Sequence, residues 1–220
     1  RRRMEPRTAL SMTATPPAPA ARRRRRSAAE TQAEILARAE ELFRSAGYAK
    51  TSIADIAASL GMSPANVFKH FPSKMALGDA IGAIHLGLIE QALTAIPTAL
   101  PPAERLRRFG ETLLAGHLRN MEGNPYVFDL VVQGLETEAE EIRAFHAWLS
   151  GAVRSIVEAG MADGSFAVAD AATTARVVLN CLEGVTHPLL LRQLDQPALA
   201  QRLAEMLDFL IAALRKPLDK

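Results

Sequence analysis

The chain has 220 residues, 49% of them apolar, and a mean hydropathy of +0.04, which allows one large or two small domains with a sizeable core. Its one cysteine, Cys181, excludes an intrachain disulfide, and no run of about 18 uncharged apolar residues is present to span a bilayer, so a reduced cytoplasmic setting and no membrane partner are expected. The net charge of +2 is unevenly spread, because residues 1–26 carry nine arginines against Glu5, a local +8, and leave −6 for the remainder.

The first 26 residues lack periodicity and contain Pro6, Pro16, Pro17 and Pro19, so they read as a disordered arm. No apolar stretch follows the arginines, so a secretory signal is not expected, and Met4 or Met12 is a candidate start. Arg22, Arg23, Arg24, Arg25 and Arg26 stand directly ahead of the first helix, where they are candidates to contact phosphates or enter a minor groove; a solvated tail is the equal alternative. Thr31 and Glu34 form a capping-box pair, and Ile35, Leu36, Ala39, Leu42 and Phe43 make an amphipathic stripe ending at Gly47.

Thr51 and Ser52 can cap the next helix, with Asp55 three residues after Ser52. Ile53, Ile56, Ala57 and Leu60 give it one buried face, and Gly61 ends it. Ser63 followed by Pro64 restarts the chain as an N-cap and first helical residue. The short helix from about Pro64 to His70 turns Val67 and Phe71 inward and leaves Ala65, Asn66, Phe68, Lys69 and His70 outside as candidate readers of DNA bases and phosphates. Residues 27–71 thus form a helix-turn-helix module. Ser63, Lys74, Thr51 and Ser52 join the candidate DNA contacts.

These residues resemble the tetracycline-repressor (TetR) family of transcriptional regulators over roughly residues 30–80. The resemblance rests on Gly47-Tyr48, Thr51-Ser52-Ile53, Ile56-Ala57, Gly61-Met62-Ser63 and His70-Phe71-Pro72-Ser73-Lys74 followed by Ala76-Leu77. The family usually carries tyrosine where this chain has Phe68, and that tyrosine gives its hydroxyl to a DNA phosphate. The loss of one neutral hydrogen bond, worth on the order of 1 kcal/mol, bears on affinity more than on binding itself. The resemblance implies an all-α protein of about nine helices, in which a DNA module sits on a larger helical domain that dimerises and holds an effector.

Downstream, Pro72-Ser73 starts a long linker helix to about Ile96, with Leu77, Ile81, Ile84 and Leu88 on one face. Gly78, Gly82 and Gly87 inside it each cost roughly 0.8 to 1 kcal/mol relative to alanine; close packing is the first explanation and a pliable helix the second. Residues 97–216 read as the effector-binding and dimerisation domain, with helices near 102–121, 125–136, 138–160, 170–194 and 197–215 and a kink at Pro188. Candidate effector contacts are His85, Leu88, Phe109, Leu113, His117, Tyr126, Phe128 and Trp148, which suit a mainly apolar small molecule with one or two hydrogen-bonding groups. In the last two segments Val178, Cys181, Leu182, Val185, Leu203, Met206, Leu207, Leu210 and Ile211 are candidates for the homodimer interface that the resemblance implies; the plain alternative is intrachain core.

The five histidines are scattered and no phosphate loop or metal-ligand spacing appears, so neither catalysis nor a metal or other cofactor is expected. The acidic run Glu136, Glu138, Glu140 and Glu141 reads as a solvated helix start. The expected function is sequence-specific transcriptional regulation: a homodimer released from a palindromic double-stranded operator by a small effector, with half-sites about 34 Å apart or a multiple of it. Alternatives are a helical ligand-binding protein or enzyme, and an architectural DNA binder without effector.

Overall fold

The computed structural model describes residues 27–215 except 123, 125, 138 and 192–194, and the side chains of 128, 132, 135, 136, 188 and 189 are also outside the description. The arginine arm, Arg22 to Arg26 included, lies outside the described residues. Among the described residues ten helices follow in chain order: α1 Ala28–Ala46, α2 Ile53–Ser59, α3 Pro64–Phe68, α4 Lys74–Thr94, α5 Pro102–Met121, α6 Tyr126–Glu136, α7 Glu140–Ala162, α8 Ala171–Thr186, α9 Pro188–Leu191 and α10 Gln196–Arg215. No strand occurs among the described residues.

Local chemistry sets the boundaries of the first four helices. The first helix starts one turn earlier than expected, because Ser27 and Glu30 form the capping box in place of Thr31 and Glu34. Both pairs have the same spacing, and the earlier one adds a helical turn with its hydrogen bonds. Ser52 and Asp55 cap α2 reciprocally, Ser63 caps α3 ahead of Pro64, and Ser73 caps α4. Gly61, at φ +63°, makes the left-handed turn between α2 and α3 that a Cβ would strain.

Two apolar cores result. One joins Ile35, Ala39 and Phe43 of α1 to Ile53, Ile56 and Ala57 of α2, Val67 of α3 and Leu77 and Ile81 of α4. Tyr126, Val127 and Leu130 of α6 complete this core, so a helix that follows α5 in sequence packs with the amino-terminal module. The second core is leucine-rich and gathers α5, α7, α8 and α10 with Ile89 and Leu93 from the far half of α4. The fourth helix therefore passes from one core into the other.

Pro188 breaks the penultimate helix outright. The α8 helix stops at Thr186, His187 is extended with ψ 129°, and α9 restarts at Pro188. Proline crowds the residue before it out of the helical region, and its missing N–H is harmless at a helix start, so a break costs less than the expected kink.

Candidate functional site: an exposed helix and an internal cavity

The third helix is held by one face and open on the other. Val67 and Phe71 are buried, whereas Ala65, Lys69 and Phe68, the last 48% exposed, face outward, with Asn66 and His70 half-buried beside them. The Ser63 hydroxyl accepts from the Asn66 N–H, which leaves its own proton free to donate outward. Ser52 is committed further, since its hydroxyl and its N–H both donate to Asp55. These bonds hold the Asp55 carboxyl below its ordinary range.

Two expected DNA contacts are otherwise engaged. Thr51 is buried, and its hydroxyl donates to the Gly47 carbonyl at 2.9 Å, so it closes the turn after α1 and does not face DNA. The Lys74 ammonium donates to the Tyr48 and Ala49 carbonyls at 3.0 and 3.3 Å and lies 4.5 Å from the centre of the Tyr48 ring. Its three donors thus serve the fold first.

Behind this module a cavity opens between α4, α5, α6, α7 and α8, with about 1000 Å³ of atom-free space, its open mouth included. Of the expected effector contacts, His85, Leu113 and His117 line it. Leu88 does not, because it lies on the solvent face of α4, and Phe109 is fully committed to the leucine-rich core. Tyr126 points into the first core, and the side chain of Phe128 is outside the description. Trp148 stands one layer back, stacked at 11° on Phe145, which does line the cavity.

His117 is only 9% exposed, and its ring meets Phe145 edge-on. Burial, reinforced by His187 and His146, pushes its pKa down to about 4, so it is neutral at pH 7. Three carboxylates reach the cavity, those of Asp79, Glu141 and Glu183. Desolvation and the neighbouring Glu141 charge raise the Asp79 pKa. Glu183 meets the His146 Nδ1 at 2.8 Å.

Glycines shape the walls. A Cβ on Gly78 would meet Leu130 Cδ2 at 2.8 Å and Tyr48 Cε2 at 3.2 Å, so the missing side chain lets α4 touch both α6 and the turn before α2. Packing accounts for that glycine. Gly82 has nothing within 4 Å and opens on the cavity, while nothing in the structure explains Gly87.

A polar cluster joins the cavity to the DNA module. Glu40 of α1 accepts from the Tyr126 hydroxyl at 2.7 Å and lies 3.2 Å from the His85 Nε2. Arg44, also on α1, donates to Asn124 at 2.9 Å in the α5–α6 loop. Burial first, then Glu40, raises the Tyr126 pKa and keeps the phenol protonated as a donor. Each such bond contributes on the order of 1 kcal/mol, against roughly 1.5 to 3 kcal/mol for each of the three large α6 side chains buried in the first core. Apolar contact is therefore the main grip of α6 on the module, and the hydrogen bonds orient it.

The expected dimer stripe requires a correction. Val178, Leu182, Leu203, Leu207, Leu210 and Ile211 are buried within the single chain, so they belong to its own core. Cys181, Val185 and Met206 are half-buried at its edge. Among the described residues, the large apolar groups left outside on these helices are Val177 and, at 74% exposure, Phe209. One helical residue turns a side chain by about 100°, so neighbours in sequence face different sides.

Sequence reasoning missed Asp79, Glu141, Phe145, Glu183 and Thr186 as cavity residues. The acidic run supplied one of them, since Glu141, expected to be solvated only, is both exposed and part of the cavity mouth; Glu138 and the Glu136 side chain lie outside the description.

Comparisons with known proteins agree with this geometry. Residues 35–81 match the model of bacterial regulatory proteins of the tetR family, and residues 102–207 match that of the tetracyclin repressor-like C-terminal domain. No curated protein matches the sequence. Among solved structures, the TetR family transcriptional regulator PfmR from Thermus thermophilus is 28% identical, with a TM-score of 0.57 over 83% of this chain and 99% of that one. A TetR transcription regulator from Haloarcula marismortui is 20% identical with a TM-score of 0.69, over 86% of this chain and all (100%) of the other. A tetR-family regulatory protein from Rhodococcus RHA1 is 23% identical with a TM-score of 0.57, over 86% and 98% of the two chains. With both halves of the architecture matched in order, the chain belongs to the TetR family of DNA-binding transcriptional regulators.

Proposed function

We propose that the protein is a homodimeric repressor that leaves a palindromic operator when a small, mainly apolar effector fills the cavity, acting in the cytoplasm without cofactor or catalysis. The observation that carries this reading is the double use of α6. Val127 and Leu130 belong to the core of the DNA module and also line the cavity. A ligand that moves α6 must then move α1 to α3 or strip apolar contact from them. By linkage, whatever factor the ligand takes from DNA affinity, DNA takes from ligand affinity.

Lys69 and Asn66 supply base and phosphate contacts on the exposed face of α3, with Ala65, Phe68, His70 and the Ser63 hydroxyl beside them, and Arg22 to Arg26 add phosphate contacts. Val177 and Phe209 form the centre of the dimer face. The test measures anisotropy of labelled DNA flanking the gene against random competitor. The fragment should be preferred, and Lys69→Ala and Asn66→Ala should weaken that preference. Phe209→Asp should weaken dimerisation by about 30-fold, the scale of an interface hot spot of roughly 2 kcal/mol. A monomeric wild-type protein with no preference for any promoter fragment would end this reading.

A further inference from the structure

Taking the cavity as the effector site, the carboxylates around it are all of one sign, and several of its other polar side chains have acceptor capacity left. The Asn120 amide nitrogen donates to the His85 carbonyl at 3.1 Å, which leaves its oxygen and its second N–H for a ligand. The Thr186 hydroxyl proton goes to the Leu182 carbonyl at 3.0 Å, which again leaves lone pairs. Asp79, Glu141 and Glu183 are carboxylates, and among the described residues no lysine or arginine lines the cavity. His117, deep among Leu113, Phe145 and Leu149, has no hydrogen-bond partner among the described residues although it is 9% exposed. An uncharged imidazole there has one lone pair and one N–H, so it can meet a donor or an acceptor and the carboxylates set the sign of the ligand.

We propose that the effector is an apolar amine, a molecule with a hydrocarbon body and a positively charged N–H donor group, and that the site rejects carboxylates and phosphates of the same body. Charge complementarity gives the direction. A cation beside Asp79 and Glu141 relieves the repulsion between them, which adds to desolvation in raising the Asp79 pKa, whereas an anion adds a third negative charge with no lysine or arginine lining the cavity to meet it. The body of the ligand fits the apolar wall of Leu113, Val131, Phe145 and Leu149.

The experiment compares three probes that share an eight-carbon chain: octylammonium, 1-octanol and octanoate. Binding to the full chain is followed by fluorescence of Trp148, the one tryptophan, which stacks on the cavity residue Phe145, and by calorimetry. Octylammonium should bind at least about tenfold more tightly than octanoate, since two partly solvated charge pairs at up to ~1 kcal/mol each reach that ratio. Asp79→Asn with Glu141→Gln should bring the ratio close to one while leaving 1-octanol affinity unchanged, which shows that the cavity itself is intact. Octanoate binding as tightly as octylammonium, or a ratio that survives both carboxamide substitutions, overturns the amine assignment and leaves the cavity as effector site. Failure of all three probes to bind removes the cavity reading as well.

Discussion

The two cores of this protein are built on different principles. The amino-terminal core is aromatic and isoleucine-rich, and hydroxyl caps start the helices α1 to α4 around it one after another. The other is a leucine-rich frame of long helices with a cavity on its flank. The first can hold one surface in a fixed pose, while the second can exchange contents. What joins them is α6, which supplies Tyr126, Val127 and Leu130 to the first and a cavity wall to the second. The functional boundary therefore runs through a helix and not along the chain between α3 and α4.

Substitutions can break or sharpen this contrast. The largest effect is expected from Tyr126→Ala, which removes a fully buried ring and its bond to Glu40 and should destabilise the protein by about 3 to 5 kcal/mol. Hydrogen exchange should then rise in α1 and α2 well before α10; uniform loss of protection would mean that the cores are one cooperative unit and the contrast is illusory.

Next is the pH response of the cavity-side core. The His117 pKa falls from an ordinary 6.5 to about 4 on folding, so below pH 6.5 the unfolded chain binds a proton that the folded one refuses. Stability from this group is complete above the unfolded value and is lost as pH falls towards the folded one. Denaturant unfolding should show roughly 2 kcal/mol less stability at pH 5 than at pH 7, and His117→Leu should remove that part of the difference. An unchanged pH dependence in the variant would show that His117 accepts a proton without penalty.

The smallest effect should come from Gly82→Ala. Its Cβ would enter open space, so the helix should gain roughly 0.8 to 1 kcal/mol while the cavity narrows. Higher stability with weaker effector response would show that the glycine serves the cavity; higher stability with an unaltered response would mean that neither space nor pliability is needed there.

Much of the amino-terminal module was legible because its determinants are local. Ser52 with Asp55, Ser63 with Pro64, and Ser73 each fix a helix start within four residues. The cavity was not, since Asp79 and Glu183 belong to helices far apart in sequence and meet only through packing. Apolar spacing shows that Val178 and Leu182 face something, yet it cannot tell a partner from the chain's own core. Only exposure moved the candidate dimer face to Val177 and Phe209.

Lys74 gives the linker helix a second hand on the DNA module. As the first residue of α4 it grips the carbonyls of Tyr48 and Ala49, just ahead of α2. The start of the long helix is thereby tied to the strap that leads into α2, so a tilt of α4 at the cavity carries that strap with it and reaches the turn motif without unfolding it.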